Sequence, residues 1–110
     1  MSSPSTKLAL ARWCRRAAPD VGWIGAGIRL NVVAPGPTAT PMTDVLAMPV
    51  LELGDVYPVP IQRLATADEQ AAVIAFLLSP ASSYVVGAVI PVDGGGDAAA
   101  RADDWPTRRP

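Results

Sequence analysis

Histidine is absent from the 110 residues. That excludes a histidine general base and a zinc site built on imidazole. The single cysteine, Cys14, cannot close an internal disulfide. It sits among apolar positions at helical spacing and reads as a small buried residue, not a nucleophile. Aromatic side chains are few, with one Phe, two Tyr and three Trp, so the core must rest on Ala, Val, Leu and Ile. A net charge of −1 leaves no electrostatic footprint for nucleic acid as a partner. Long hydrophobic runs are missing too. The longest, Tyr84 to Val92, is interrupted by Gly87 and Pro91 and falls short of the roughly 20 residues a membrane helix needs, so no membrane partner is expected. Pro4, Arg12 and Trp13 break any signal-peptide pattern, and a cytoplasmic location is the expectation.

What is present is a globular composition, half hydrophobic and 17% charged, of about one small domain. Twelve prolines and nine glycines divide it into short elements. Residues 3 to 18 predict a helix, with Ser3 as N-cap and Pro4 at the first helical position. Leu10, Cys14 and Ala17 form its apolar stripe, widened by Ala9 and Trp13. Lys7, Arg12, Arg15 and Arg16 read as its solvated face rather than as a phosphate-binding patch. Residues 28 to 34 predict a strand buried on both faces, as in a parallel sheet. Helix then strand is the second half of a βαβ crossover whose first strand is not in the chain.

Residues 43 to 65 carry few periodic signals beyond a short helix at Asp44 to Met48, and read as a lid or binding loop or else as disordered. Thr66 and Glu69 form a capping box for a helix over 67 to 78. Its inner face is expected at Ala71, Ile74, Ala75 and Leu78, widened by Phe76 and Leu77. Ser79-Pro80 ends it, Val89 to Val92 predicts a second buried strand, and Asp93-Gly94-Gly95-Gly96 a turn. Residues 97 to 110 are expected to be a mobile tail.

The segment Arg29 to Met42 is the most informative. An apolar run stops at Pro35-Gly36 and a small polar cluster follows. Open α/β sheets present ligand sites in this way, at the carboxyl end of a strand. Pro35 lacks an N–H and ends the ladder. Gly36 lacks a Cβ and would let a flat ligand approach. Thr38 and Thr40 offer hydroxyls beside it.

Arg29 to Met42 resembles the end of the sixth strand and the following loop of the short-chain dehydrogenases/reductases. Phe76-Leu77-Leu78-Ser79-Pro80, then Gly87 and Val92-Asp93-Gly94-Gly95, resembles their last helix and seventh strand. The ending Asp93 to Ala98 with Arg101 is similar to the bacterial 3α-hydroxysteroid dehydrogenase/carbonyl reductase branch. The resemblance implies an α/β fold: the C-terminal portion of a Rossmann-type doubly wound parallel sheet, about two strands and two main helices, incomplete as a domain. It would occupy residues 1–96, with a substrate loop at about 43–65 and a tail at 97–110. It also implies hydride transfer between NAD or NADP and an alcohol or ketone. The backbone of Pro35, Gly36 and Thr38 would contact the nicotinamide carboxamide. Thr40 would bond the carboxamide or a phosphate oxygen, and Met42 would line the pocket. The apolar residues of the loop suit either a small hydrophobic substrate or plain packing.

The family's catalytic pair is Tyr-x-x-x-Lys on one helix face. Lys7 sits at the Lys position, but Ser3 occupies the Tyr position. A phenol starts near pKa 10 and one cation can bring it into range, whereas a serine hydroxyl needs a separate base. Lys7 could bond a cofactor ribose or simply be solvated. A Ser3–Lys7 nucleophile pair is sterically allowed, but nothing resembling an oxyanion hole accompanies it. The glycine-rich dinucleotide loop is also missing, and Gly94-Gly95-Gly96 is not expected to replace it because no helix start is read after it. The chain is therefore expected to be a truncated piece of a dehydrogenase, binding no dinucleotide alone. The alternative is a non-enzymatic module that self-associates or pairs with a full-length relative through its exposed strand edge and helix 67–78.

Overall fold

The computed structural model describes residues 4–39 and 59–103. Its elements are α1 (Pro4–Ala17), β1 (Val32–Pro35), α2 (Ala67–Leu78), β2 (Val89–Val92) and α3 (Gly96–Ala100), with 3-10 turns at Ile24–Ala26 and Pro80–Ser82. The chain divides into two compact units. One runs through Ala34 and resumes at Asp68–Ile90; the other holds Pro35–Ala67 and the residues from Pro91 onward.

β1 and β2 form a two-stranded sheet. Val32 N–H donates to Ala88 C=O at 2.9 Å and Gly36 N–H to Val92 C=O at 3.0 Å. The equal offset of the two pairs makes the strands parallel. The α/β class expected from the sequence is thus present, but β1 begins at Val32, not at residue 28. The reason lies in Asn31. Its side chain, not its main chain, spans the neighbouring segment: Nδ2 donates to Val85 C=O and Oδ1 accepts from Ala88 N–H, both at 2.9 Å. Upstream, Ile28 N–H turns back to Trp23 C=O. Burial on both faces is also corrected, since β1 is half-buried at Val32 and Val33 and exposed at Ala34 and Pro35. Asn31→Ala should orphan two partly buried backbone groups and cost about 1–3 kcal/mol, read as a lower urea midpoint with unchanged slope.

α1 starts at the proline as expected and ends on Arg15 and Arg16, which suit a helix C-terminus. Its four basic side chains are all exposed. Its apolar stripe is mostly uncovered: Cys14 and Ala18 are buried, while Leu10 is 53% and Trp13 44% exposed. A ribbon of two strands about 5 Å apart is too narrow to cover a stripe of 100° or more. Trp13 instead meets Trp23 edge-on, with ring centroids 5.9 Å apart at 88°. The Cys14 thiol is pushed above its ordinary pKa by burial, against a smaller lowering by Arg15.

α2 has the expected limits, but the face is rotated. Gln70 is buried and Val73 and Leu77 are half-buried, while Ala71, Ile74, Ala75 and Leu78 are exposed. The helix is apolar around most of its circumference, so its pattern cannot choose a face. Its end is held by Arg29. Nη1 donates to Ser82 C=O (2.6 Å), Ser82 Oγ (2.9 Å) and, at longer range, Leu77 C=O (3.5 Å), and Nη2 to Ser79 C=O (3.4 Å). Buried Ser82 Oγ in turn donates toward Leu77 C=O at 2.9 Å and Ser79 C=O at 3.1 Å.

In the second unit, α3 replaces the first part of the expected tail. Residues 59–62 make a turn in which Gln62 N–H donates to Val59 C=O and Gln62 adopts a left-handed φ of 59°. No helix among the described residues is long and apolar enough to cross a membrane.

Candidate functional site

The strand exit is tightly tied down. Gly36 N–H is spent on Val92 C=O, and Gly36 C=O accepts from Thr38 Oγ1 at 2.9 Å. Thr38 bridges Ala65 in parallel, with Ala39 N–H on Ala65 C=O and Ala65 N–H on Pro37 C=O. A Cβ on Gly36 would lie 2.7 Å from both Cα and Cβ of Asp93. The missing side chain therefore makes room for Asp93 at the end of β2.

Asp93 is the organising residue of this corner. Its carboxylate accepts from Gly95 N–H at 3.2 Å and Asp97 N–H at 2.8 Å, and its carbonyl from Gly96 N–H at 3.3 Å. A helix does start at Gly96, the third of the three glycines, where none is expected from the sequence. The amides at that start still cannot cradle a phosphate, because the Asp93 carboxylate already fills them. Gly94 and Gly95 take left-handed φ of 64° and 97°, and their bare Cα atoms face Ile61 and Pro60. Ile61 N–H donates to Gly94 C=O at 3.1 Å. Arg101 Nε pairs with Asp97 at 2.7 Å on the surface. Asp93→Ala should cost about 1 kcal/mol as a lost cap and speed amide exchange at Ala99 and Arg101.

Of the residues picked from sequence, Pro35, Gly36 and Thr38 share this corner, and Lys7 is exposed on α1 in the other unit. Ser3, Thr40 and Met42, and most of the 43–65 loop, lie outside the described residues. From local chemistry Asp93 reads as part of a turn; an Asp two residues before the N-cap Gly95 is itself a signal that its carboxylate will accept from backbone amides just ahead. No group of three or more metal-ligating side chains occurs among the described residues.

The family model described as enoyl-(acyl carrier protein) reductase matches residues 4–97. The chain belongs to the short-chain dehydrogenase/reductase family. The 3-alpha-hydroxysteroid dehydrogenase/carbonyl reductase of Comamonas testosteroni is 48% identical over 90 residues, covering 79% of this chain and 34% of that protein. Among solved structures, a hydroxysteroid dehydrogenase from Escherichia coli matches with a TM-score of 0.70 and 36% identity, over 84% of this chain and 38% of that one. An NADPH-bound short-chain oxidoreductase from Pseudomonas aeruginosa PAO1, with an atypical catalytic centre, matches at 0.68 and 26% identity, over 83% and 37%. The chain thus spans roughly a third of the length of the short-chain dehydrogenases it matches.

Proposed function

We propose that this chain carries the strand exit and substrate loop of an oxidoreductase that moves hydride between NAD or NADP and the alcohol or ketone carbon of a small hydrophobic molecule. The observation that carries the reading is the family match over residues 4–97 with the Pro35–Gly36–Thr38 corner intact. The 48% identical relative is named for hydroxysteroid and carbonyl chemistry, which favours an apolar substrate. The nicotinamide cofactor would supply the hydride acceptor or donor. The backbone from Pro35 to Thr38 would hold its carboxamide, Thr40 the carboxamide or a phosphate oxygen, Met42 its ring, and Lys7 a ribose hydroxyl. Gly36 N–H is not a donor for this task, since it belongs to the sheet.

On this reading the chain alone turns nothing over. Ser3 at the Tyr position leaves the substrate oxygen without an acidic phenol, and the Asp93 carboxylate repels phosphate from the α3 amides. Cytoplasmic residence goes with the same reading. Isothermal titration calorimetry of the purified chain with NAD and with NADP should show no heat of binding. Micromolar affinity for either would defeat the inactive-fragment reading.

A second reading, a non-enzymatic module that pairs with a related dehydrogenase subunit, draws on one observation: Leu78 at the end of α2 is 80% exposed. Co-purification of a family subunit with the tagged chain would support it, and a well-behaved monomer in size-exclusion chromatography would count against it.

A further inference from the structure

We infer that the Asp93–Gly94 peptide is a site of spontaneous backbone isomerisation, and that the folded corner holds the reaction off. The chemistry needs an Asp side chain followed by an amide nitrogen that no Cβ crowds, and Gly94 supplies one. This is the only Asp-Gly pair in the chain; every other aspartate precedes a residue with a Cβ. Gly94 is exposed, and its N–H meets no acceptor among the described residues, so no bond has to break before the nitrogen attacks. The steps balance without a cofactor. Gly94 N bonds Asp93 Cγ, the Cγ–OH bond of the protonated carboxyl breaks, and one water leaves with the amide proton. A five-membered imide ring results, and solvent water then opens it. Attack at Cγ restores Asp93. Attack at the main-chain carbonyl carbon breaks its bond to nitrogen and leaves the chain running through Cβ and Cγ. That product has the mass of the parent, one extra methylene in its backbone, and a free carboxylate where the Asp93 C=O stood.

The corner restrains each movement this needs. Both Asp93 carboxylate oxygens are held, Oδ1 by Gly95 N–H at 3.2 Å and Oδ2 by Asp97 N–H at 2.8 Å. Turning Cγ onto Gly94 N releases both. Ring closure also needs room around Asp93 Cα and Cβ, where Gly36 packs so closely that a Cβ on it would lie 2.7 Å from each. Gly94 is pinned by Ile61, whose N–H donates to Gly94 C=O at 3.1 Å and whose side chain covers the Gly94 Cα. The reaction therefore runs through excursions in which the corner opens. Its product cannot close the corner again. The carbonyl that accepts Gly96 N–H becomes a carboxylate, and the side-chain cap of α3 becomes main chain.

The test ages the full chain at neutral pH, in native buffer and in denaturing urea. Peptide mapping then follows a product of unchanged mass and shifted elution, and labelling by an isoaspartyl methyltransferase confirms it. The expected result is isoaspartate at position 93, forming about tenfold or more slowly in native buffer than in urea. Ile61 is 51% exposed, so Ile61→Ala should keep the parent circular dichroism spectrum while speeding the native reaction about threefold or more. Gly36→Ala should move the native rate toward the urea rate, and Gly22→Ala should leave it unchanged. Asp93→Glu would have to close a six-membered ring and should abolish the product. Equal rates in native buffer and in urea would overturn the inference, as would a native rate indifferent to both Ile61→Ala and Gly36→Ala. No isoaspartate at position 93 even in urea would overturn the site itself.

Discussion

Gly36→Ala should unfold the strand exit. The added methyl would sit 2.7 Å from Asp93 Cα and Cβ, well inside the 3.5–4.0 Å optimum for carbon contacts. One of those atoms is backbone, so no side-chain rotation relieves the clash. Moving Gly36 away breaks its 3.0 Å bond to Val92 C=O; moving Asp93 strips the α3 amides of their acceptor. Overpacking of this kind costs about 1–3 kcal/mol, and the coupled loss of the cap adds about 1. In a domain this small each kcal/mol lowers Tm by about 4–8 °C, so a fall of about 10–25 °C is expected in a thermal melt. Gly22→Ala is the control. Nothing lies within 4 Å of its Cβ position, and its Tm should stay within a degree or two.

Arg29→Met should be the most damaging change in the first unit. The guanidinium makes two short bonds to Ser82 and longer ones to Leu77 and Ser79, and it places a positive charge at the C-terminal end of α2. Bonds involving a charged partner are worth about 1.5–3 kcal/mol each, and the helix-end charge about 0.3–1. Some of this is offset because Met fills similar apolar space, so a net loss of about 2–4 kcal/mol is expected in urea unfolding. Arg29→Lys should recover less than half, because a single ammonium cannot reach Ser82 and Ser79 from one position. Ser82 is almost fully buried, so its carbonyl would be left facing an apolar stem, while its hydroxyl keeps the Leu77 and Ser79 carbonyls.

Element positions were legible where local chemistry acts alone. Pro4 opens α1, Thr66 precedes α2, Ser79-Pro80 ends it, and Val89–Val92 is a strand. The helix faces were not. Leu10, Trp13, Ile74 and Leu78 are apolar at helical spacing, and periodicity assumes that a core exists to receive them; here β1 and β2 are all the sheet there is among the described residues. The start of β1 was hidden because Asn31 looks like one polar residue in an apolar run, and its use as a bridge depends on residues 85 and 88, far away in the sequence. The candidate site was half-legible. Pro35-Gly36 was recognised as a strand exit, but the packing of Gly36 against Asp93 was not, since the two are neighbours only after β2 pairs with β1. The helix at Gly96–Ala100 was not read because Asp93-Gly94-Gly95-Gly96 looks like a plain turn, while Asp93 supplies the acceptors that let a helix begin at Gly96.

Cys14 makes the first unit observable without any engineering. It is the only thiol in the chain, 1% exposed, and its proton is held more tightly than in solvent. A maleimide or aromatic disulfide reagent should react with it only during excursions in which α1 lifts away. The labelling half-time would then be a stopwatch for that motion.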